Sequence, residues 1–182
     1  MADINDEFLS VAGMASAHAA LVGKHEWFLH VKETQRFDQI KSKGIEPRNP
    51  GCAVPNVVVT AVGPNAGEIV CLRPKGTFDT TPSRGKKMFM MAVRRDALPK
   101  TIGLDWSYDG SWTLAPILRK EAPAMPNEEI FCEVVRRRGS VVSYEGIPLD
   151  KISVWTKGIP NDDPSKWPKL SVVDLTQVEQ FD

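Results

Sequence analysis

The sequence predicts an α+β domain, with antiparallel β layers and helices gathered at its N-terminal end. Three observations lead there. Helical periodicity is concentrated before Gly44, and strand-length apolar runs dominate the chain beyond it. The early helical segments do not alternate with the later strands, as a doubly wound parallel sheet would require.

Residues 5–22 (NDEFLSVAGMASAHAALV) read as one helix. Phe8, Val11, Met14, Ala15, His18, Leu21 and Val22 recur at three- and four-residue steps, and Asp6 and Glu7 sit at the N-terminal end that favours negative charge. EWFLHVK (26–32) is short and aromatic-rich, a strand. TQRFDQIKSK (34–43) is a short helix with Phe37 and Ile40 on one face, closed by Gly44. IEPRNPGCAVP is a Pro/Gly loop. NVVVTAV and EIVCLR are strands around a Gly-Pro-Asn-Ala-Gly turn, and GTFDTTPSRGKK is a polar excursion. KMFMMAVRR is a strong strand in which Met88, Met90 and Met91 supply core. EIFCEVVRRRGSVVSYEG reads as a hairpin turning at Gly139, with Arg136, Arg137 and Arg138 at its tip. KISVW is the last strand. The domain is expected to span 1–158, with 159–182 as a C-terminal tail that is partly ordered at best.

Composition narrows the class of protein. In 182 residues, 42% hydrophobic and 25% charged side chains suffice for a globular core. The 23 basic and 23 acidic residues cancel, which argues against a chain-wide grip on nucleic acid, though not against a local basic patch. Three separated cysteines, Cys52, Cys71 and Cys132, suit a reducing compartment better than a disulfide framework. The acidic start MADINDEF lacks the features of a signal peptide, and no apolar run reaches the ~20 residues of a membrane span. A cytoplasmic protein with no membrane partner is the expectation. Phosphate-loop, Rossmann, zinc-protease, CxxC and nucleophile-elbow motifs are all absent.

What remains is an order of local patterns. EWFLHVKETQRFDQIKSKGIEPR is a His-bearing strand followed by FxxIxxxGI. EIVCLRP, KKMFMMAVRRDALP, EIFCEVV and GIPLDKISVW come next, in that order. Over residues 26–157 this order resembles the ADP-ribosyltransferase-like superfamily, nearest to DarT-type and related bacterial or phage members. The resemblance implies an ADP-ribosyltransferase-like fold of split antiparallel β layers. It also implies NAD as substrate, transfer of ADP-ribose to a protein or nucleic acid, and toxin, defence or counter-defence roles with an inhibitor or antitoxin as a further partner. His30 matches the strand histidine that contacts the adenosine ribose of NAD, with Val31, Leu72 and Arg73 as neighbouring cofactor-binding positions. Glu133 matches the catalytic glutamate, with Glu145 as second choice. Cys71 stands where such proteins often carry Tyr or Ser. That departure keeps an alternative open: a catalytically degenerate domain that binds protein or nucleic acid.

The chemistry asks for such residues. Breaking the nicotinamide–ribose bond builds positive charge on the ribose, so a nearby carboxylate stabilises the transition state more than the ground state. Against these readings stand plainer ones. His30 can be a satisfied structural histidine, Glu133 can point outward, Glu145 at a turn can be solvated, and Arg136–Arg138 can be solvated turn charges. Arg84, Lys86, Lys87, Arg94 and Arg95 add basic density that suits nucleic acid or the NAD pyrophosphate. Trp106 and Trp112, bracketing Tyr108, suit either packing or stacking of a base.

Overall fold

The computed structural model describes residues 4–49, 69–75, 85–106, 111–138 and 140–182. The expected strand 56–62, the turn after it and most of the polar excursion lie outside the described residues, as do Cys52, Arg84, Tyr108 and Gly139.

The first helix is broken in two, α1 (Ile4–Leu9) and α2 (Val11–Lys24). Ser10 makes the break. Its backbone is extended and its Oγ accepts from the Gly13 amide at 2.9 Å, so a residue in the middle of an apolar stripe acts as an N-cap. Gly13 permits the tight corner, because a Cβ there would stand 1.8 Å from the Glu7 carbonyl oxygen. Strand β1 (Trp27–Glu33) leads through a 3-10 turn into α3 (Phe37–Lys43). Gly44 ends α3 at φ +82°, and its backbone lies against the Ile147 carbonyl, where a Cβ would come within 2.3 Å.

Strands β2 (Val70–Pro74), β3 (Met88–Arg94) and β4 (Ile102–Leu104) precede two helices, α4 (Ser111–Glu121) and α5 (Asn127–Arg138). Strands β5 (Val141–Ser143) and β6 (Ile152–Val154) complete one six-stranded sheet, in the order β4-β5-β2-β1-β3-β6. All its pairings are antiparallel.

The expected hairpin over 129–146 is therefore corrected: its first arm is helix α5. Ile130, Phe131, Val134 and Val135 recur one helical turn apart and are all buried. Glu128 and Glu129 in the first turn and Arg136, Arg137 and Arg138 in the last complement the helix dipole, a charge order that a hairpin does not need.

The α+β class holds, and the described strands form one sheet that is unevenly joined. β1 pairs with β3 at seven positions, from Trp27↔Arg94 to Glu33↔Met88. With β2 it pairs only at Phe28↔Pro74 and Leu29↔Arg73, after which β2 continues with β5. Side chains of all five described helices pack in the main core with Phe28, Leu72, Phe89, Met91 and Val141. Leu29, Met90, Ala92 and Trp167 form a smaller core, backed by Trp27, Trp155 and Phe181.

The C-terminal segment differs from the expected loose tail. Trp167, Leu170, Val173 and Val178 are buried, and Lys169, Val178 and Phe181 make isolated bridges to Ser153, Thr156 and Met88. Burying four large apolar side chains is ample reason for residues after Gly158 to be built in. Among the described residues no helix is long and apolar enough to cross a membrane.

Candidate functional site

The β1–β2 ladder stops at Leu29↔Arg73, and the next group on the β2 side is taken up by a side chain. His30 Nδ1 lies 2.7 Å from the Cys71 carbonyl oxygen. A carbonyl can only accept, so Nδ1 carries the hydrogen and Nε2 of the neutral ring is an acceptor. That Nε2 is buried and has no partner. His30 is 4% exposed. Burial holds its pKa down at about 4, and the positive charges of Lys32 and Arg48 push the same way. The ring is uncharged at neutral pH.

His30 borders a narrow cleft between β1, α3 and the segment after Gly44, with room for about one water. Strand alternation puts Lys32 on the same face as His30. Arg36 and Gln39 come from the start of α3, and Ile45, Glu46 and Arg48 from the segment beyond its end. Arg48 is fixed at both ends. Its backbone bridges Ile69 in both directions, at 2.9 and 2.8 Å, and its Nη2 donates to Gln39 Oε1 at 2.6 Å. Arg36 Nη1 donates to the same oxygen at 3.3 Å. Burial lowers the Lys32 pKa, with Arg48 and Arg36 adding to the effect. Among the described residues, no carboxylate forms an ion pair with Lys32, Arg36 or Arg48. Glu46 is the carboxylate that lines the same cleft, and Glu33 acts on Lys32 from the next position along β1.

Glu133 is elsewhere. It lies on α5, not in a strand, and lines a different cavity with Lys24, His25, Met125, Glu129, Cys132 and Arg136. Arg136 holds it in a bidentate pair, with both contacts at 2.7 Å, and Arg137 Nε donates at 2.7 Å. The Arg136 bonds, with those from Arg137, pull its carboxyl down to about 2. Among the described residues, the cavity lined by Glu133 does not include His30, and the expectation that both face one cleft from neighbouring strands is corrected to the extent that Glu133 lies on a helix. The cause is the helical state of 127–138, which turns Glu133 toward its own helix's last turn.

Glu145 is exposed and comes just after β5, the strand paired with β2. Ser143 Oγ donates to its carbonyl at 2.8 Å and accepts from its amide at 3.1 Å, which fixes the turn. The next residue, Gly146, lies against the cleft wall: a Cβ on it would stand 3.1 Å from the Ile45 carbonyl oxygen. Val31 packs with the smaller core and Leu72 is fully buried in the main core, so their side chains serve packing. Arg73 is half-buried and, by strand alternation, faces away from Leu72. Trp106 is buried in a small cluster with Leu9, Ile69 and Val142, against which Trp112 also packs; this is packing, not an open stacking platform.

Sequence reasoning missed Lys32, Arg36, Gln39 and Arg48. A signal for the first existed, since Lys32 stands two residues after His30 in a strand. The chain matches no family model, no curated protein and no solved structure.

Proposed function

We propose that the chain is an ADP-ribosyltransferase that takes ADP-ribose from NAD and passes it to a protein or nucleic-acid acceptor. The observation that carries this reading is the buried, unprotonated and unpartnered Nε2 of His30 in a cleft lined by Lys32, Arg36 and Arg48. A ribose hydroxyl supplies the donor that Nε2 lacks, and phosphates supply the charge that the three cations lack.

Glu133, already held by two arginines, is a poor carboxylate for the chemistry, so we assign that role to Glu145. In this scheme the bond from ribose C1′ to nicotinamide breaks with its electron pair leaving on nicotinamide. Positive charge grows on the ribose ring, and the Glu145 carboxylate stabilises it. The acceptor's nucleophile then bonds to C1′ and loses its proton.

The test is nicotinamide release from NAD by the purified chain, followed chromatographically. We expect Glu145→Gln to slow release roughly a hundredfold, the effect of removing one preorganised electrostatic group, with little change in NAD affinity. A wild-type chain that neither binds nor cleaves NAD overturns the proposal. A second reading, a degenerate binding module, is favoured by Cys71 in place of the usual Tyr and by the exposure of Glu145. Binding of NAD without any release of nicotinamide would select it.

A further inference from the structure

Within β3, the run Met88–Val93 (MFMMAV) carries no charge, proline or glycine. A segment of that composition adds readily to another strand wherever one of its edges is open. Lys86, Lys87, Arg94 and Arg95 bracket it, in the positions where charge discourages such pairing.

One edge of β3 is taken along its whole length by β1. The other is not closed by β6 alone, which pairs only with Met91, Ala92 and Val93. Among the described residues, later parts of the chain cover the rest. The Trp155 amide donates to the Met90 carbonyl at 3.0 Å. Phe181 forms an antiparallel bridge with Met88, donating to its carbonyl at 3.0 Å and accepting from its amide at 2.7 Å.

Little else holds Phe181 in place. Its bridge is isolated rather than part of a ladder. The Glu179 amide adds one bond to the Trp155 carbonyl at 3.0 Å, and the half-buried Phe181 ring lies 6.2 Å from that of Trp155. Asp182 pairs with Lys87 at 2.9 Å, but both side chains are more than half exposed, and such pairs contribute little. The fully buried anchor before this stretch is Val178. Residues 179–182 can therefore lift from β3 by local opening while the sheet stays folded.

We propose that the edge of β3 at Met88 is a surface for a second copy of this chain, and that residues 179–182 are the strand that guards it. The partner is the same edge of the other copy. Two antiparallel strands related by a two-fold axis are self-complementary, so Met88 comes to lie opposite its own copy. That pairing uses the amide and the carbonyl that Phe181 occupies in the closed chain. Met90 and Trp155, from the smaller core, supply apolar area alongside.

Sedimentation velocity of the full chain over a concentration series tests this, with Phe181→Pro beside the wild type. Proline removes the N–H that donates to Met88 and still suits an extended backbone. Phe181→Pro is expected to self-associate roughly tenfold or more tightly than the wild type, because the closed form loses hydrogen bonds that compete with the partner. Adding Met88→Lys places like charges at the centre of the pairing and is expected to return association to the wild-type level. Unchanged association in Phe181→Pro overturns the proposal. So does association that survives Met88→Lys, which would place the contact on another surface. Amide hydrogen exchange on the wild-type chain decides the question even if Phe181→Pro fails to fold. Relative to intrinsic rates, the Met88 amide, bonded to Phe181, should exchange about tenfold or more faster than the Ala92 amide, which lies opposite Ser153 in β6. Equal rates would show that the segment opens only together with the sheet, and the guard would be no guard.

Discussion

Two cavities of this molecule each hold a histidine, arginine and lysine, yet they are arranged in opposite ways. In the groove between α2 and α5, charges are matched. Lys24 meets Glu129 at 2.5 Å, and Arg136 and Arg137 close on Glu133. In the cleft between β1 and α3, three cations lie around a neutral buried histidine without an ion pair among the described residues. Matched charges satisfy one another and leave little for a ligand. Unmatched ones store a repulsion that an anion relieves. The contrast teaches that a strongly shifted carboxyl is not by itself a site: Glu133 and His30 both titrate far from their ordinary values, the first because it is satisfied and the second because it is not.

The comparison breaks most sharply on the two glutamates. If the paired groove is structural, Glu133→Gln should release nicotinamide at the wild-type rate, within about twofold, while on the proposed transferase reading Glu145→Gln loses roughly a hundredfold. The reverse result, a silent Glu145→Gln and a crippled Glu133→Gln, would return catalysis to α5. The two histidines offer the next contrast. His30→Ala should weaken dinucleotide binding by about tenfold or more, through loss of a buried hydrogen bond. His25→Ala, in the paired groove, should leave binding within about twofold. Equal effects would show that the cleft around His30 has no special claim on the ligand.

How much of this was legible in the sequence depends on which interaction decides each element. β1, α3, β3 and β6 were readable because short-range periodicity and Gly44 fix them. Helix α5 was not, since Ile130, Phe131, Val134 and Val135 fit a half-buried strand about as well as a helix face. The order of its charges, acidic first and basic last, was the better guide. Ser10 was hidden in an apolar stripe whose period it did not disturb. The site was legible only in its histidine. Lys32 reads as the solvated end of a strand, and Arg48 reaches the cleft only because Gly44 folds the next segment back toward β1. That is a tertiary fact with no local signature.

Stability against pH should separate the two regions as well. His30 is buried and neutral, with a folded pKa near 4, below the ordinary 6.5 of an exposed imidazole. Between those values the unfolded chain binds a proton that the folded chain refuses, so stability should fall as pH drops from about 6.5 toward 4. His25, lowered mainly by burial, contributes in the same direction. Denaturant midpoints measured across this window should show the slope in the wild type and a shallower one in His30→Gln, which cannot titrate. An unchanged slope would mean that the ring reaches solvent.

The smallest expected effect belongs to the paired groove itself. Glu133 has its carboxyl held near 2 by Arg136 first and Arg137 second, so its stabilising contribution is present above the ordinary carboxylate range and fades as pH falls toward 2. Its partners are largely in solvent, with side chains 64% and 45% exposed, and water and salt screen the attraction. Exposed pairs of this kind rarely contribute more than about 1 kcal/mol. Glu133→Gln and Arg136→Ala should therefore each leave stability nearly unchanged, and a double-mutant cycle should return only a small coupling. The coupling should shrink in 0.5 M salt, because the Debye length there is about 4 Å. Arg138 has no ion pair with a described residue, so Arg138→Ala should show no coupling to Glu133. A coupling of several kcal/mol that survives salt would mean that Glu133 is a buried charge needing its arginines. The groove would then resemble the cleft around His30 more closely than the present contrast allows.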